Sequence, residues 1–326
     1  MAPFGSGSSD ARTRLFFATD VHSSERTFSK FLKAAEYYKV NALILGGDLT
    51  GKFLAPFIRE ADGSCFTDFQ GNPVRMRNDA EMKAMEKTVR TAGYYAYTTT
   101  REEYEQTRND KAKVDKLFLE KMLEVLERWI GLAEETLGGR GLPCFITGGN
   151  DDPYEIDDFM RAHSTEHVRY CEGDVVDVLG YEMAASGYSN MTPWTLPRDM
   201  PEDQLEAALE KIVSKVSNPR KSIFAIHVPP YDTGMDLAIW LNKDLKYQHY
   251  GQPIEGPIGS HAVFNILDKY QPLLSLHGHV HESRCFYRLG KTMCFNPGSE
   301  YTEGTLRGVI INLKGDKMES YQFTSG

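Results

Sequence analysis

A chain of 326 residues with 41% apolar and 25% charged residues has the make-up of a globular protein, and the length of one large α/β domain or two smaller ones. Its formal net charge of -9 disfavours a protein that grips long nucleic acid, which needs a surplus of Lys and Arg on one face. No stretch approaches the roughly 20 consecutive apolar residues of a membrane span, and the five cysteines Cys65, Cys144, Cys171, Cys285 and Cys294 form no CxxC pair, so a reducing, cytoplasmic setting with no membrane partner is expected.

The first fourteen residues, MAPFGSGSSDARTR, are rich in Gly and Ser and lack the apolar stretch of a secretory signal; 1–14 reads as a disordered tail. Strand 15–19 (LFFAT) follows, then a helix over 27–39 with Phe28, Phe31, Leu32 and Ala35 at helical spacing, then strand 42–47 (ALILGG). This is the strand, helix, strand rhythm of a parallel sheet. The next crossover is far longer than such units need. Its last part, 113–137, carries one apolar stripe (Leu119, Leu123, Leu126, Ile130, Ala133, Leu137) and predicts a long helix ended by Gly138-Gly139. The remainder, about 53–112, predicts hairpins at Asp62-Gly63 and Gly71-Asn72, a helix over 79–90 and the aromatic run GYYAY at 93–97. It is expected to be a cap inserted into a domain spanning 15–326. Short apolar runs at 143–147, 223–226, 273–276 and 293–295 continue the strand series, with helices over 201–216 and 262–270.

Five of these strands run into a residue able to bind a metal. LFFAT leads to Asp20-Val21-His22, ALILGG to Asp48, CFITGG to Asn150, IFAI to His227, and LLSL to His277-Gly278-His279-Val280-His281. Taken singly, an Asp after a strand is a turn or cap residue and a lone His a hydrogen-bonded structural one. Together they fall where open α/β sheets build their sites, at the carboxyl ends of parallel strands. Glycines beside Asp48, Asn150 and His279 would let backbones approach closely around a shared ion. Two carboxylates, one amide oxygen and four imidazoles without a thiolate exceed one tetrahedral zinc and suit two ions of the manganese, iron or zinc group. Two divalent ions outweigh two carboxylates and a hydroxide, leaving a site attractive to a phosphate oxyanion.

In order and spacing, DVH, GGDLTG, GGND, HVPP and HGHVH resemble the motifs of the calcineurin-like metallophosphoesterase superfamily, and Asn296-Pro297-Gly298-Ser299 is also similar to its members. The resemblance implies a four-layer α/β/β/α sandwich of two mixed sheets between helices. It also implies a dinuclear-metal phosphoesterase acting on a phosphomonoester or phosphodiester through a metal-bridging hydroxide. Asp20, His22 and His281 would take one metal, Asn150, His227 and His279 the other, and Asp48 would bridge. Asn150 would also orient the phosphate. Where many members follow that Asn with His, this chain reads Asp151-Asp152. An ionised Asp151 would repel a phosphate, so Asp151 is expected to be protonated, turned away or paired with a cation, or to organise the turn and cap the next helix together with Asp152.

Further expectations concern the surroundings. His277 would support the ligands by a hydrogen bond, His163, His167 and His249 would be surface residues, and His261 would stand at a helix start. Tyr188, Asn190 and Tyr231, with the loop through Trp194, would line the pocket for a small phosphate-ester substrate. Tyr94, Tyr95 and Tyr97 would either stack on a ring of the substrate or pack in a core. Two other readings stand beside the phosphoesterase: a nuclease or a small- or cyclic-nucleotide phosphodiesterase, and a metal-binding interaction protein that uses the cap for docking.

Overall fold

The computed structural model describes residues 12–240 and 254–326; most of the proposed tail and His249 lie outside them. Strand β1 (Arg12–Ala18), helix α1 (Glu25–Tyr37) and strand β2 (Ala42–Gly46) form the opening unit. The insert follows as β3 (Leu54–Arg59), β4 (Cys65–Phe69), β5 (Asn72–Met76), α2 (Asp79–Thr91), β6 (Tyr95–Thr100) and α3 (Arg101–Arg108). Helix α4 (Lys111–Leu137) then leads back to β7 (Cys144–Thr147), α5 (Glu155–Ala162) and β8 (Val168–Tyr170). The second half runs β9 (Val175–Val178), β10 (Tyr181–Ser186), the two-residue β11 (Ser189–Asn190) and β12 (Asp199–Met200), α6 (Glu202–Val213), β13 (Ser222–Ile226), β14 (Leu237–Ile239), β15 (Glu255–Pro257) and α7 (His261–Tyr270). It ends with β16 (Leu274–Leu276), β17 (Cys285–Leu289), β18 (Thr292–Asn296), β19 (Arg307–Lys314) and β20 (Lys317–Ser325).

Two six-stranded mixed sheets face each other, ordered β20-β19-β1-β2-β7-β8 and β17-β18-β16-β13-β10-β9. In the first, β1, β2, β7 and β8 are parallel and β19 and β20 add antiparallel pairs on one side; in the second, β10, β13, β16 and β18 are parallel and β9 and β17 are antiparallel edges. Successive strand residues point to opposite faces. In β1, Leu15 and Phe17 therefore enter the core between the sheets with Ile223, Leu274 and Phe295, while Phe16 and Ala18 meet α1 and α4 on the outer face. Helices α6 and α7 cover the far side of the second sheet through Leu205, Leu209, Val263 and Ile266. The four layers are α/β/β/α, as the resemblance implies, and the parallel strands β1, β2, β7, β13 and β16 end on one edge.

Boundaries shift by a few residues. β1 begins at Arg12, whose strand pairs with β19 from Arg12↔Lys314 onward, so Arg12, Thr13 and Arg14 belong to the sheet. The helix expected over 113–137 begins at Lys111, because the Asp110 side chain accepts from Lys113 N and caps it. Its buried face is turned toward Met122, Val125 and Trp129, since Trp129 stacks on Phe28 of α1 at 4.0 Å with rings 2° from parallel. The helix continues into a turn over Gly138–Arg140, and left-handed Gly141 (φ 62°) ends it. In the insert, the parallel pair β3 and β6 is extended by the hairpins β3-β4 and β4-β5.

Candidate metal centre

The proposed ligands lie at the ends of β1, β2, β7, β13 and β16, and the structure brings them together. Asp20, His22, Asp48 and His281 offer ligand atoms all within 4.8 Å of one another. The Asp48 carboxylate divides between two directions: Oδ2 lies 3.5 Å from His22 Nε2 and Oδ1 lies 3.4 Å from His227 Nε2. Asp20 Oδ1 lies 3.4 Å from His281 Nε2 and 3.8 Å from His227 Nε2. On the other side, His279 Nδ1 is 2.9 Å from Asn150 Oδ1.

Hydrogen bonds to the backbone hold two of the rings. His22 Nδ1 donates to the Thr50 carbonyl at 3.2 Å and His227 Nδ1 to the Gly46 carbonyl at 3.0 Å, so in the neutral rings Nε2 carries the lone pair turned to the cluster. Asn150 Nδ2 donates to Asp199 Oδ1 at 2.9 Å, which turns its amide oxygen inward. His277 does not join the cluster. Its Nδ1 donates to the carbonyls of Ile226 and Val228, the two neighbours of His227, and so fixes the turn that presents that ligand.

The conformation is strained where these residues sit. Asp20, His22, Asp48 and His279 all have positive φ, at 52°, 39°, 48° and 67°, a region costing L-residues on the order of 1–3 kcal/mol each. Glycines provide the close approach. A Cβ on Gly149 would stand 2.2 Å from Asp48 N and Oδ1, and one on Gly278 would stand 2.1 Å from Thr19 Oγ1 and 2.3 Å from Asp20 Oδ2. Asn296 donates to the carbonyls of Gly278 and Val280, and Ser299 Oγ donates to the Asp20 carbonyl, so the NPGS turn ties both ligand loops in place.

Charge in the cluster calls for a cation. Burial works to raise Asp20 and Asp48, but the imidazoles of His281 and His227 outweigh it, holding Asp20 at about 2 and Asp48 well below the carboxylate range. Burial pushes His22 down to about 3 and, with the neighbouring His227, His279 down to about 4. His227, by contrast, is carried up to about 10, because Asp48 and Asp20 overcome the effect of burial. Two carboxylates so buried need positive charge beside them. Two further features fit a metal. His227 Nε2 is buried with no hydrogen-bond partner. His22 Nε2 and His281 Nε2 face each other at 3.2 Å, a close approach of ring nitrogens that a shared cation would satisfy. The donor set is nitrogen and oxygen only, which suits manganese, iron or zinc.

Asp151 is paired. Its carboxylate is bonded to Lys52 Nζ, 3.7 Å from His22 Nδ1, while its backbone N–H donates to Asp48 Oδ1 at 3.0 Å. Burial and the Asp48 charge push Asp151 up to about 7, against the pull of the Lys52 ammonium. Asp152 has a different role. It accepts from Leu49 N, Thr50 N, Thr50 Oγ1 and Gly149 N and thereby fastens the Asp48 loop to the Asn150 loop. Neither caps α5, which has no side-chain cap. Beneath this turn, fully buried Arg198 donates to the Asp152 carbonyl and pairs with Asp157.

The surrounding residues divide in ways the sequence left open. Asn190 and Tyr231 line a cavity that reaches His279, but the Asn190 amide donates to the carbonyls of Ile258 and Gly259 and so secures that loop. Tyr188 is outside the cavity lining and packs against the core under α6. Tyr95 is buried, with its hydroxyl accepting from Gly51 N, and Tyr94 stacks on Phe53 inside the insert, so packing accounts for both; Tyr97 is half-buried on the insert. His163 is exposed and donates to Phe159 O. His167 is half-buried against Glu134, and His261 stacks on Tyr231 at 4.0 Å. Sequence reasoning missed Lys52, Asp199, Arg198 and Tyr301, whose ring centroid is 4.5 Å from that of His22. Only Lys52 carried a signal, as the cation closing the GGDLTGK run. All five cysteines are unpaired and lie outside the ligand set. Among the described residues, no helix is long and apolar enough to cross a membrane.

No family model matches the chain. The uncharacterized protein MJ1162 of Methanocaldococcus jannaschii is 24% identical over 195 residues, which make up 59% of this chain and 78% of that protein. Among solved structures, TT1561 of Thermus thermophilus is similar with a TM-score of 0.53 at 15% identity, over 97% of this chain and 99% of that one. A second solved structure is similar with a TM-score of 0.56 at 16% identity, again over 97% and 99% of the two chains. At such identities the likeness is one of fold, and it extends over the whole sandwich.

Proposed function

On a sandwich of the calcineurin-like metallophosphoesterase type, we propose that this chain is a metal-dependent phosphoesterase whose cradle holds two ions and hydrolyses a phosphomonoester or phosphodiester. The observation that carries the proposal is the Asp48 carboxylate, with one oxygen toward His22 and the other toward His227. One residue thus connects two groups of donors: Asp20, His22 and His281 on one side, and Asn150, His227 and His279 on the other. When bound, the ions would activate a water for attack at phosphorus and offset the charge of the phosphoryl oxygens.

The remaining work belongs to the chain. The strained loops and their backbone bonds hold the ligands in one geometry, which spares reorganisation during reaction. Asp199 and His277 act as positioning residues, the first through Asn150 and the second through the turn at His227. Lys52 neutralises Asp151, so the buried carboxylate does not oppose an arriving phosphate, and the 42% exposure of its side chain leaves the ammonium accessible from solvent.

The test is hydrolysis of 4-nitrophenyl phosphate, bis(4-nitrophenyl) phosphate and cyclic nucleotides by the full chain supplied with manganese, iron or zinc, beside a chelated control. Metal-dependent turnover of any of these esters supports the proposal. Bound metal without turnover of any would favour the metal-binding interaction protein.

A further inference from the structure

Beside the cradle lies a cavity of about 470 Å3, within the size of ordinary small-molecule sites. His279 is among its lining residues, and Met191, Trp194, Tyr231, Ile239, Trp240 and Ile258 are its large apolar and aromatic ones. The chain has three tryptophans. Trp129 is buried under α1, and the other two are 54% (Trp194) and 38% (Trp240) exposed and both line this cavity. An exposed indole leaves a large apolar face in water, which is costly unless something covers it.

The aromatic walls are held in position. Trp240 lies against Gly256, where a Cβ would come within 2.5 Å of the indole, and its Nε1 donates to the Pro257 carbonyl at 3.4 Å. Tyr231 stacks on His261, with the two rings 29° apart. It follows His227 closely in the chain and is joined to the start of α7 by its N–H to the Ser260 carbonyl at 3.0 Å. The cavity therefore adjoins the metal cradle through His279 and through the loop after His227.

Charge narrows the occupant further. Among the described residues, no Lys or Arg lines the cavity, and the one carboxylate, Glu202, is engaged by Ser260 Oγ, His261 N and Ala262 N at the start of α7. A flat ring would find aromatic faces, which favour ring partners beyond the area they bury.

We infer that this cavity receives the alcohol part of the substrate, and that this part carries an aromatic ring. The inference rests on the phosphoesterase reading for the placement of the phosphate at the cradle. A simple aryl group and a nucleoside base share the chemistry required.

The test uses the manganese-loaded full chain. Calorimetric titration compares benzylphosphonate with n-butylphosphonate, and turnover compares 2-phenylethyl, n-butyl and n-octyl phosphates, whose leaving alcohols have similar acidity; adenosine 5′-phosphate separates base from aryl. Expected is a preference for the ring over n-butyl of roughly tenfold in both affinity and kcat/KM, the scale of one stacking contact. Trp194→Ala and Trp240→Ala each collapse that ratio toward one, and Trp194→Phe restores it. Equal affinity for the two phosphonates, a ratio untouched by either substitution, or n-octyl outrunning 2-phenylethyl phosphate would each overturn the inference. If no ester is turned over but the phosphonates show the ring preference and its loss in Trp194→Ala, the phosphoesterase reading fails and the aromatic site stands.

Discussion

The cradle and the cavity beside it share His279 and otherwise differ in every physical respect. The cradle is buried, charged and strained, with left-handed residues at Asp20, His22, Asp48 and His279 and the rings of His22 and His227 tied to backbone carbonyls. The cavity is open and apolar, and its polar groups are used to secure its own loops. Strain and buried charge belong where an ion and a phosphate are to be held in one geometry. Exposed indoles belong where a neutral group arrives from water and leaves again. On the proposed phosphoesterase reading, the reaction belongs to one region and the choice of substrate to the other.

If that division is right, changes in the cradle alter metal content and rate together, whereas changes in the cavity alter only the ranking of substrates. The largest effect is expected for Asp48→Asn, which weakens both donor groups at once. Turnover should fall by about 10²–10³-fold, on the scale of losing a fixed electrostatic group, and unchanged turnover with unchanged metal content would refute the bridging role. Asp199→Ala should come next. It frees the Asn150 amide to rotate, and metal affinity measured by competition with a chelator should drop roughly 10–100-fold; an unaltered affinity would mean that Asp199 merely secures its own loop through Thr192 and Leu196.

Lys52→Gln removes the partner of Asp151, and KM for phosphate esters should rise roughly tenfold, the scale of one charge-assisted hydrogen bond. Adding Asp151→Asn should recover most of that loss, because the two groups form one neutral pair. Additive losses in the double variant would instead place each group on the substrate independently. Smallest is Tyr94→Leu, which should leave kcat and KM within about twofold because the ring packs against Phe53 and Phe69 in the insert. A selective rise in KM would return the insert aromatics to the substrate site.

The candidate ligands and the parallel strands were legible in the sequence for a common reason, while the four layers were implied by the family resemblance alone. Parallel strands buried on both faces read as unbroken apolar runs, and a polar residue that ends such a run marks the sheet edge where sites form. Strands β9, β17 and β20 were not legible. They are edge strands with polar residues interspersed, such as Glu319, Tyr321 and Gln322 in β20, although each pairs with its sequence neighbour β10, β18 or β19 across a short turn. Strand β19 was missed although Val309 to Leu313 are largely apolar, because it pairs antiparallel with β1 and its residues were not tied to any motif. Arg198 and Asp199 were invisible because they act through contacts 46 and 49 positions away in the chain, on the Asp152 carbonyl and the Asn150 amide. Asp151 shows how far spacing carries: its position beside the ligands was plain, but its pairing with Lys52 needed the fold.

The central claim is that Asp48 joins two donor groups into one two-ion cradle. Elemental analysis of the full chain after manganese loading and gel filtration tests it most directly. The account predicts two ions per chain in the wild type and loss of both in Asp48→Asn; a single ion in the wild type, or two retained in the variant, would contradict it.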